Sequence, residues 1–409
     1  MIKLLLLVIP VFIYAESLKS LLDFATTNNK MVVSKNLTHM ANEKSVESAQ
    51  SDYYPTVDVG AYYDNLDNER TYSYPGDTFS GYATVSMDLY DGGKKSSTIK
   101  QNRELSTSSK YSSEAYKKSL QLSITQDYFN IKSNQSTLNA LKDKELQLLA
   151  ELDRVKKFFD VGSATIDEID RLKAEYSDNL YQIDQIKYQI VSLKQLLSIK
   201  IGKNVYEIDN SVIDVPESID KEKSDSILAL QASANSLKHT ANIISSSNMP
   251  KISVEDTFSL YAYGDYDSTH DKNKDSQNEF LVTLSMRIFD FGYISKQKES
   301  VMLKQKALQS EVEYALNEQD INIKLSTLKI ETTKAQIKSA KSTLESSLSA
   351  YKSILDKYSV GAVDNVTYLD ALTVRTNAKA QYETALNNLQ IAYATYYYYT
   401  NKNIKEYIK

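Results

Sequence analysis

The chain contains no cysteine and no tryptophan, and only ten glycines and five prolines are spread over its 409 residues. Without cysteine, the sequence excludes a disulfide framework, a thiolate metal site and a cysteine nucleophile. Because glycine and proline are the residues that most often interrupt regular structure, their scarcity predicts very long regular elements. Tyrosine is abundant, with 31 residues, and its amphipathic ring suits surfaces between an apolar phase and water.

The first fifteen residues have the pattern of a secretory signal sequence. They contain one lysine, Lys3, an apolar run from Leu4 to Ile13, and the small residue Ala15 before the polar Glu16. We predict cleavage after residue 15, and a short membrane anchor is the alternative. Loss of Lys3 leaves 47 basic and 53 acidic residues and a net charge of −6, so the sequence predicts an exported protein without a nucleic-acid partner.

Two sequence patterns recur at a constant offset and indicate an internal duplication. The stretch MDLYDGGKK at 87–95 resembles MRIFDFG at 286–292. The stretch FFDVGSATIDEID at 158–170 resembles KYSVGAVDNVTYLD at 357–370. In both pairs the equivalent positions lie 199 residues apart, which is unlikely to arise by chance twice.

Each repeat is predicted to contain a helix, two strands, a long helix and a return helix, in that order. Repeat one covers residues 16–223, with strands at about 55–65 and 80–91, a long helix at 96–160, a return helix at 165–200 and an equatorial segment. Repeat two covers residues 224–409, with strands at about 250–263 and 279–290, a long helix at 295–358 and a return helix at 365–400. The long helices lack glycine and proline and would each run on the order of 95 Å. Apolar steps of three, four and seven residues predict a coiled-coil seam of Leu138, Leu141, Leu148, Leu152, Val155 and Phe159.

The four predicted strands alternate apolar and polar residues, so that each strand has one apolar face. The apolar positions are Val57, Val59, Ala61 and Tyr63; Ala83, Val85, Met87 and Leu89; Ile252, Val254, Phe258, Leu260 and Ala262; and Phe280, Val282, Leu284, Met286 and Ile288, with Asp256 as an exception. Strands of this length fit the lipid-facing wall of a membrane barrel, and a half-buried sheet of a soluble domain fits them as well. Four strands cannot close a barrel, so the membrane interpretation requires two or three copies of the chain.

The duplicated order of elements, the aromatic-Asp-x-Gly corners and the two VG turns together resemble the outer-membrane efflux proteins, or TolC-like channels. The likeness covers nearly all of the mature chain. It implies a mainly α fold with membrane β structure: a homotrimer with a 12-strand outer-membrane β-barrel, continued by a long periplasmic α-helical coiled-coil barrel. It also implies a location in the outer membrane of a Gram-negative bacterium, extending into the periplasm.

The resemblance further implies a passive exit channel of a tripartite efflux or type I secretion system. Such a channel contacts outer-membrane lipid and receives its substrates from a periplasmic adaptor (membrane fusion) protein and an inner-membrane pump. No feature of the sequence selects a substrate or a pump class among the RND, ABC and MFS transporters. The alternative function is a secreted periplasmic coiled-coil adaptor or structural spacer, which accounts for the helices and the signal but not for the paired strands.

The two corners are expected where a strand leaves the membrane and becomes a tunnel helix. Gly92, Gly93 and Gly292 can adopt the backbone conformations of a sharp turn because they have no Cβ. Asp91 and Asp290 precede a helix, where a carboxylate can accept hydrogen bonds from free N–H groups and interact favourably with the helix dipole. Direct contact with a substrate is the alternative role for these corners.

The two VG turns each end one helix before the next begins. In the family these turns lie at the periplasmic tip, so the resemblance implies adaptor docking at Val161, Gly162, Ser163, Val360, Gly361 and Ala362. It also implies an entrance constriction with the candidate residues Asp370, Asp167, Glu168 and Tyr358. The ion-pairing pattern of the family is incomplete, because Val363 and Thr367 stand where a known member has an arginine and an aspartate. A threefold ring of these acids would attract cations, and a solvated helix face is the alternative.

No catalytic site, cofactor or metal site is predicted from the sequence. The three histidines, His39, His239 and His270, lie far apart in polar surroundings. A phosphate-binding glycine loop is also absent from the sequence. This composition is typical of a passive conduit rather than an enzyme.

Overall fold

The computed structural model describes residues 16–65, 77–217, 221–264 and 274–409, so the predicted signal sequence and His270 lie outside the described residues. The described ranges form two repeats, each with two strands followed by a long helix and a return helix, and a short 3-10 helix at Ile404–Tyr407 follows them. Two helices precede the strands in the first repeat, where the sequence predicts one, and one helix precedes them in the second. The elements are α1 (Leu18–Asn28), α2 (Lys30–Ser51), β1 (Thr56–Asn65), β2 (Asp77–Tyr90), α3 (Lys94–Asp160), α4 (Ile166–Ile201), α5 (Asp225–Ser246), β3 (Lys251–Tyr263), β4 (Ser276–Ser285), α6 (Tyr293–Ser359) and α7 (Asn365–Tyr399). Of the helices in these ranges, none has an apolar stretch of the length needed to cross a membrane.

The four strands form one antiparallel sheet in the order β1-β2-β3-β4. The pairing of β2 with β3 joins strands from the two repeats, although three helices separate them along the chain. The register brings polar side chains together on one face, where the Oγ1 atoms of Thr84 and Thr257 lie 2.9 Å apart. On the opposite, apolar face, Asp256 lies between Val85 of β2 and Phe280 of β4. The register therefore aligns the polar and the apolar positions predicted from alternation as far as Ser285, where β4 ends, whereas Met286 and Ile288 lie beyond the strand predicted to contain them.

The described residues form two compact units, and each unit contains chain from both repeats. The first unit comprises residues up to Lys35 together with Ser113–Asp225 and Leu316–Lys409. The second unit comprises Asn36–Ser112 and Ser226–Ala315 and contains the whole sheet. The duplication seen in the sequence is thus a property of the chain order, whereas each unit is built by packing the two repeats together.

Within the first unit, buried positions recur every seven residues, as in coiled coils. The first repeat uses large aliphatic residues at these positions: Leu141, Leu148 and Val155 on α3, and Ile183, Ile190 and Leu197 on α4. The second repeat uses small or polar residues: Gln319, Ser326, Thr333, Ala340 and Ser347 on α6, and Ala371, Ala378, Ala385 and Ala392 on α7. The predicted seam ends too late, because Phe159 lies in the last turn of α3 and is exposed.

A second part of the same unit holds in place the equatorial segment, which consists of the described residues between α4 and α5. Residues Glu16 and Ile208 form a parallel β-bridge, and Ile213 and Ile408 form an antiparallel one. The hydroxyl of Tyr397 donates a hydrogen bond to the carbonyl of Asp214. The ring of Tyr397 stacks on that of Tyr407 in the 3-10 helix, with centroids 3.9 Å apart. The equatorial segment therefore packs between the first and the last described segments of the chain.

Candidate functional site

The first helix turn joins α3 to α4 through complementary caps. Gly162 has a φ of +74°, and its N–H donates to the carbonyl of Phe159 at 2.9 Å. Thr165 is the N-cap of α4, and Glu168 completes a capping box by accepting a hydrogen bond from the N–H of Thr165 at 3.5 Å. The carboxylate of Glu168, a candidate constriction residue, is thus engaged in the cap of its own helix.

The second helix turn joins α6 to α7 in the same way. Gly361 also has a φ of +74°, and its N–H donates to the carbonyl of Tyr358 at 3.1 Å. Asp364 is the N-cap of α7 and accepts hydrogen bonds from the side chain and the backbone N–H of Thr367, which lower the pKa of its carboxyl group. Thr367, which stands where a family member has an acid, therefore serves the cap.

All six residues proposed for adaptor docking are exposed at these turns. The largest of them are the two valines, since Val161 exposes 73% and Val360 exposes 78% of its surface. An exposed apolar side chain at an equivalent place in each repeat gives a small, repeated contact surface. Because the turn geometry is fixed by the two glycines, this surface has the same backbone shape in both repeats.

Tyr358 lies in a network that links α6 and α7 to α3. Its hydroxyl donates to Oε1 of Glu151 at 2.7 Å and accepts a hydrogen bond from the amide of Asn365 at 3.2 Å. The guanidinium group of Arg154 pairs with Glu151 at 2.8 Å and lies 4.4 Å from the centre of the Tyr358 ring. Tyr368 also stacks on Tyr358, with ring centroids 4.8 Å apart. Burial and the hydrogen bond to Glu151 raise the pKa of Tyr358, so its hydroxyl stays protonated and donates.

Glu151 and Arg154, which contact Tyr358, are not predicted from the sequence. Asp167 and Asp370 are exposed at the start of α4 and of α7, respectively. Tyr358 contacts the buried Glu151, whose position within a charged helix carries no distinctive signal. The i, i+3 spacing of Glu151 and Arg154 was the only available hint.

The first corner is capped by Asp91 and turned by two glycines. The carboxylate accepts hydrogen bonds from the N–H groups of Gly93 at 3.0 Å and Lys95 at 2.6 Å. Gly92 and Gly93 have φ values of +71° and +84°. A Cβ on Gly92 would lie 2.5 Å from the Cβ of Met249, so only glycine fits there.

The second corner repeats this geometry with a different residue in the middle. Asp290 accepts hydrogen bonds from the N–H groups of Ile294 at 3.0 Å and Gly292 at 2.9 Å, and these bonds, with that of Ile294 first, lower the pKa of its carboxyl group. Gly292 has a φ of +79°. Phe291, which corresponds to Gly92 of the first corner, adopts a φ of +52° and is almost fully exposed.

The first corner also contains a buried cation that the sequence analysis missed. Lys95 is only 9% exposed, and its Nζ donates to the carbonyl of Asp52 and lies 3.9 Å from a carboxylate oxygen of Asp88. Lys251 pairs with the same carboxylate at 3.1 Å. In the second corner the residue 199 positions later is the buried Ile294, so a comparison of the GGKK and FGYI stretches was the available signal. Across the described ranges, no cluster of histidine and acidic residues is arranged to hold a metal ion.

The sequence matches a protein family described as outer membrane efflux protein over residues 21–198 and 220–401. The two matched segments correspond to the two repeats and together cover most of the chain. No curated protein sequence matches the chain.

Several solved structures are similar in fold over almost the whole chain. The CmeC outer membrane channel of Campylobacter jejuni has a TM-score of 0.83 at 17% identity, covering 94% of this chain and 85% of that one. The outer membrane protein VceC of Vibrio cholerae has a TM-score of 0.80 at 12% identity, covering 95% and 96% of the two chains. The MtrE outer membrane channel of Neisseria gonorrhoeae, in its open state, has a TM-score of 0.76 at 14% identity, covering 95% and 89%. At these identities the likeness establishes the shared fold.

Proposed function

The chain belongs to the outer membrane efflux protein family, and from this membership we infer that it is the exit channel of a tripartite efflux or type I secretion system. As an outer-membrane efflux channel of a Gram-negative bacterium it extends into the periplasm. The family match disfavours the alternative of a periplasmic adaptor or spacer. The finer proposal is a homotrimer that conducts substrates passively and has no catalytic activity of its own.

The single observation that best supports the channel is the four-stranded sheet. One face carries apolar residues such as Val57, Val282 and Leu284, and all three are more than half exposed. The outer strands β1 and β4 each have one partner within the chain. In lipid, each unpaired backbone group on such an edge costs several kcal/mol, which pairing with further copies removes. Three copies supply twelve strands, enough to enclose a channel.

The two helix turns support the proposed docking of a periplasmic partner. Exposed apolar residues on a backbone of fixed shape suit docking of another protein, and we assign this role to the turns at Gly162 and Gly361. The partner would be a periplasmic adaptor that connects the channel to an inner-membrane pump. The exposed Asp167 and Asp370 would line the nearby entrance of the trimer, while Tyr358 would hold α6 and α7 against α3.

Arginine substitutions on the two faces of the sheet test the barrel. Arg at Val85 or Val282 should cost roughly 2–4 kcal/mol per subunit, because these side chains would face lipid. Arg at the neighbouring Thr84 or Thr283 should be tolerated, because these positions would face water in the lumen. The measurement is the amount of trimer purified from outer membranes in mild detergent, with its mass determined by light scattering.

Two results would contradict this proposal. A monomeric mass for the unmodified protein would exclude the trimer, and release from membranes by carbonate would exclude an integral barrel. Equal loss of trimer from the arginine variants of both faces would show that the assignment of lipid and lumen faces is wrong.

A further inference from the structure

The polar face of the sheet carries a layer of tyrosines in the half of the strands next to the β1–β2 and β3–β4 connections. Three consecutive cross-strand rows contribute: Tyr62 with Ser80 and Tyr261, Gly60 with Tyr82 and Ser259, and Asp64 with Thr78 and Tyr263. Small residues thus alternate with tyrosines across these rows. This arrangement leaves space between strands that the aromatic rings occupy.

One ring of the layer lies across a small residue of the neighbouring strand, and two others stack on each other. A Cβ built on Gly60 would come within 2.5 Å of the Cζ atom of Tyr82, so this ring covers Gly60. The rings of Tyr261 and Tyr263 are nearly parallel, with an interplanar angle of 9° and centroids 6.3 Å apart. Tyr62 nevertheless leaves 49% of its surface exposed. The layer therefore offers aromatic faces to whatever lies on this side of the sheet.

One polar atom beneath this layer has no hydrogen-bond partner. Ser80 is only 4% exposed, and its Oγ atom is unpaired although it lies between Tyr62 and Tyr261 in the register. A buried hydroxyl without a partner is costly, so a ligand that donates a hydrogen bond to it would be favoured.

The charge around the layer has one sign. Within the four described strands, Lys251 is the single basic residue, and it is paired with Asp88 at the opposite end of the sheet. The polar face also carries the exposed acids Asp58, Asp64, Glu255 and Glu279. Carboxylates raise the local concentration of cations, and aromatic faces bind cations directly. Neither feature favours an anion.

We propose that the tyrosine layer, with the Ser80 hydroxyl at its floor, is a binding surface for aromatic or alkyl ammonium ions on their way out of the channel. The inference rests on the proposed function, because it requires the polar face to line the lumen. The tyrosine faces bind the positive charge, the ammonium N–H donates to Ser80 Oγ, and the surrounding acids keep anions away. The substrate class of the channel therefore includes amphipathic organic cations.

Single-channel recording of the reconstituted full-length protein tests the proposed cation binding. The probes are benzylammonium, benzyl alcohol and benzoate, which share a benzene ring and differ in charge. Benzylammonium should block the current at a concentration at least several times lower than either of the others. Tyr62→Leu combined with Tyr261→Leu should raise its half-blocking concentration roughly tenfold, since each ring contributes a modest cation–π attraction. Tyr62→Phe with Tyr261→Phe should retain the block, because the rings remain.

Tyr63→Leu is the matched control, because Tyr63 is the next residue of β1 and lies on the apolar face, where it packs on Phe79. The proposal is overturned if benzylammonium blocks the Tyr62→Leu, Tyr261→Leu double variant at the same concentration as the unmodified channel. It is also overturned if Tyr63→Leu weakens the block as much as the double variant does. Tyr62→Leu alone serves if the double variant does not assemble. A protein that inserts but carries no current would contradict the channel function itself, whereas a conducting channel without charge preference contradicts only this inference.

Discussion

At one pair of equivalent positions, the two corners reach the same backbone conformation with different residues. Gly92 and Phe291 both adopt a positive φ, but only the first lies against another segment, where Met249 leaves no room for a side chain. Phe291 is 86% exposed, so its side chain has space, and the left-handed conformation costs it roughly 1–2 kcal/mol. Both corners retain the aspartate cap and the left-handed glycine that follows two residues later, Gly93 or Gly292, so the glycine at position 92 is the one that the second corner does without.

The cap of the second corner should make the stability of α6 depend on pH. Backbone hydrogen bonds lower the pKa of Asp290, so its carboxylate stabilises the folded state above the unfolded pKa of about 3.9, and this contribution is lost as the pH falls through the folded pKa. Asp290→Ala should therefore lower the thermal midpoint of helix unfolding at neutral pH, and the difference from the unmodified protein should disappear at acid pH. Circular dichroism in detergent measures both midpoints.

Glu331→Ala is the control for this experiment, because Glu331 is exposed and lies far beyond the first turn of α6. It should leave the midpoint nearly unchanged at both pH values. A difference for Asp290→Ala that is as large in acid as at neutral pH would show that the carboxylate charge is not responsible.

At the scale of elements, the two helical hairpins differ in the size of their buried residues. The α3 and α4 positions carry leucine, isoleucine and valine, whereas α7 carries an alanine at every seventh position from Ala371 to Ala392. Small side chains at a helix contact let the neighbouring backbones approach closely, and they leave no space for a longer side chain. These alanine positions are therefore sensitive to added volume, although α7 also buries larger residues such as Tyr368, Leu372 and Tyr397.

Ala378→Leu should test this packing. Ala378 is 3% exposed, so the added methyl groups must displace neighbouring helices, at a cost of typically 1–3 kcal/mol. Asn377→Leu adds an apolar side chain at the adjacent exposed position and should change stability by less than about 0.5 kcal/mol. Chemical unfolding followed by circular dichroism compares the two. If Ala378→Leu is as stable as Asn377→Leu, the helix contacts at the alanine positions of α7 are loosely packed.

At the scale of the whole molecule, the proposed trimer contains three copies of each charged residue. The exposed Asp370 and Asp167 follow the two helix turns, so a threefold axis near the tip would bring carboxylates of equal charge together. Like charges brought close favour binding of a cation or protonation. The entrance of the channel would then select cations.

Asp370→Ala should lower the cation selectivity of the reconstituted channel and weaken its block by multivalent cations added from the periplasmic side. Asp167→Ala is the comparison, because it removes the equivalent charge from the first repeat. Single-channel recording decides between them. If only Asp167→Ala changes the selectivity, the ring belongs to the first repeat and the assignment of Asp370 is wrong.

The fold class and the family could be predicted from the sequence because their signals are local. Alternation of apolar residues marks strands, the absence of glycine and proline marks long helices, and a constant offset marks the duplication. The left-handed glycines at the turns and the aspartate caps belong to the same group, since each cap is formed within five residues. These turns and caps are therefore formed by residues that lie close together in the sequence.

Tertiary structure alone decided which distant residues meet. Tyr358 reaches Glu151 across 207 residues of chain, and Lys95 is buried at one corner where Ile294 is buried at the other. The tyrosine layer arises in the same way, because Tyr62 and Tyr261 become neighbours of Ser80 only when β2 pairs with strands of both repeats. Periodicity fixes the face on which a side chain lies, but its partner depends on the register between elements, which is set by the packing of the whole unit.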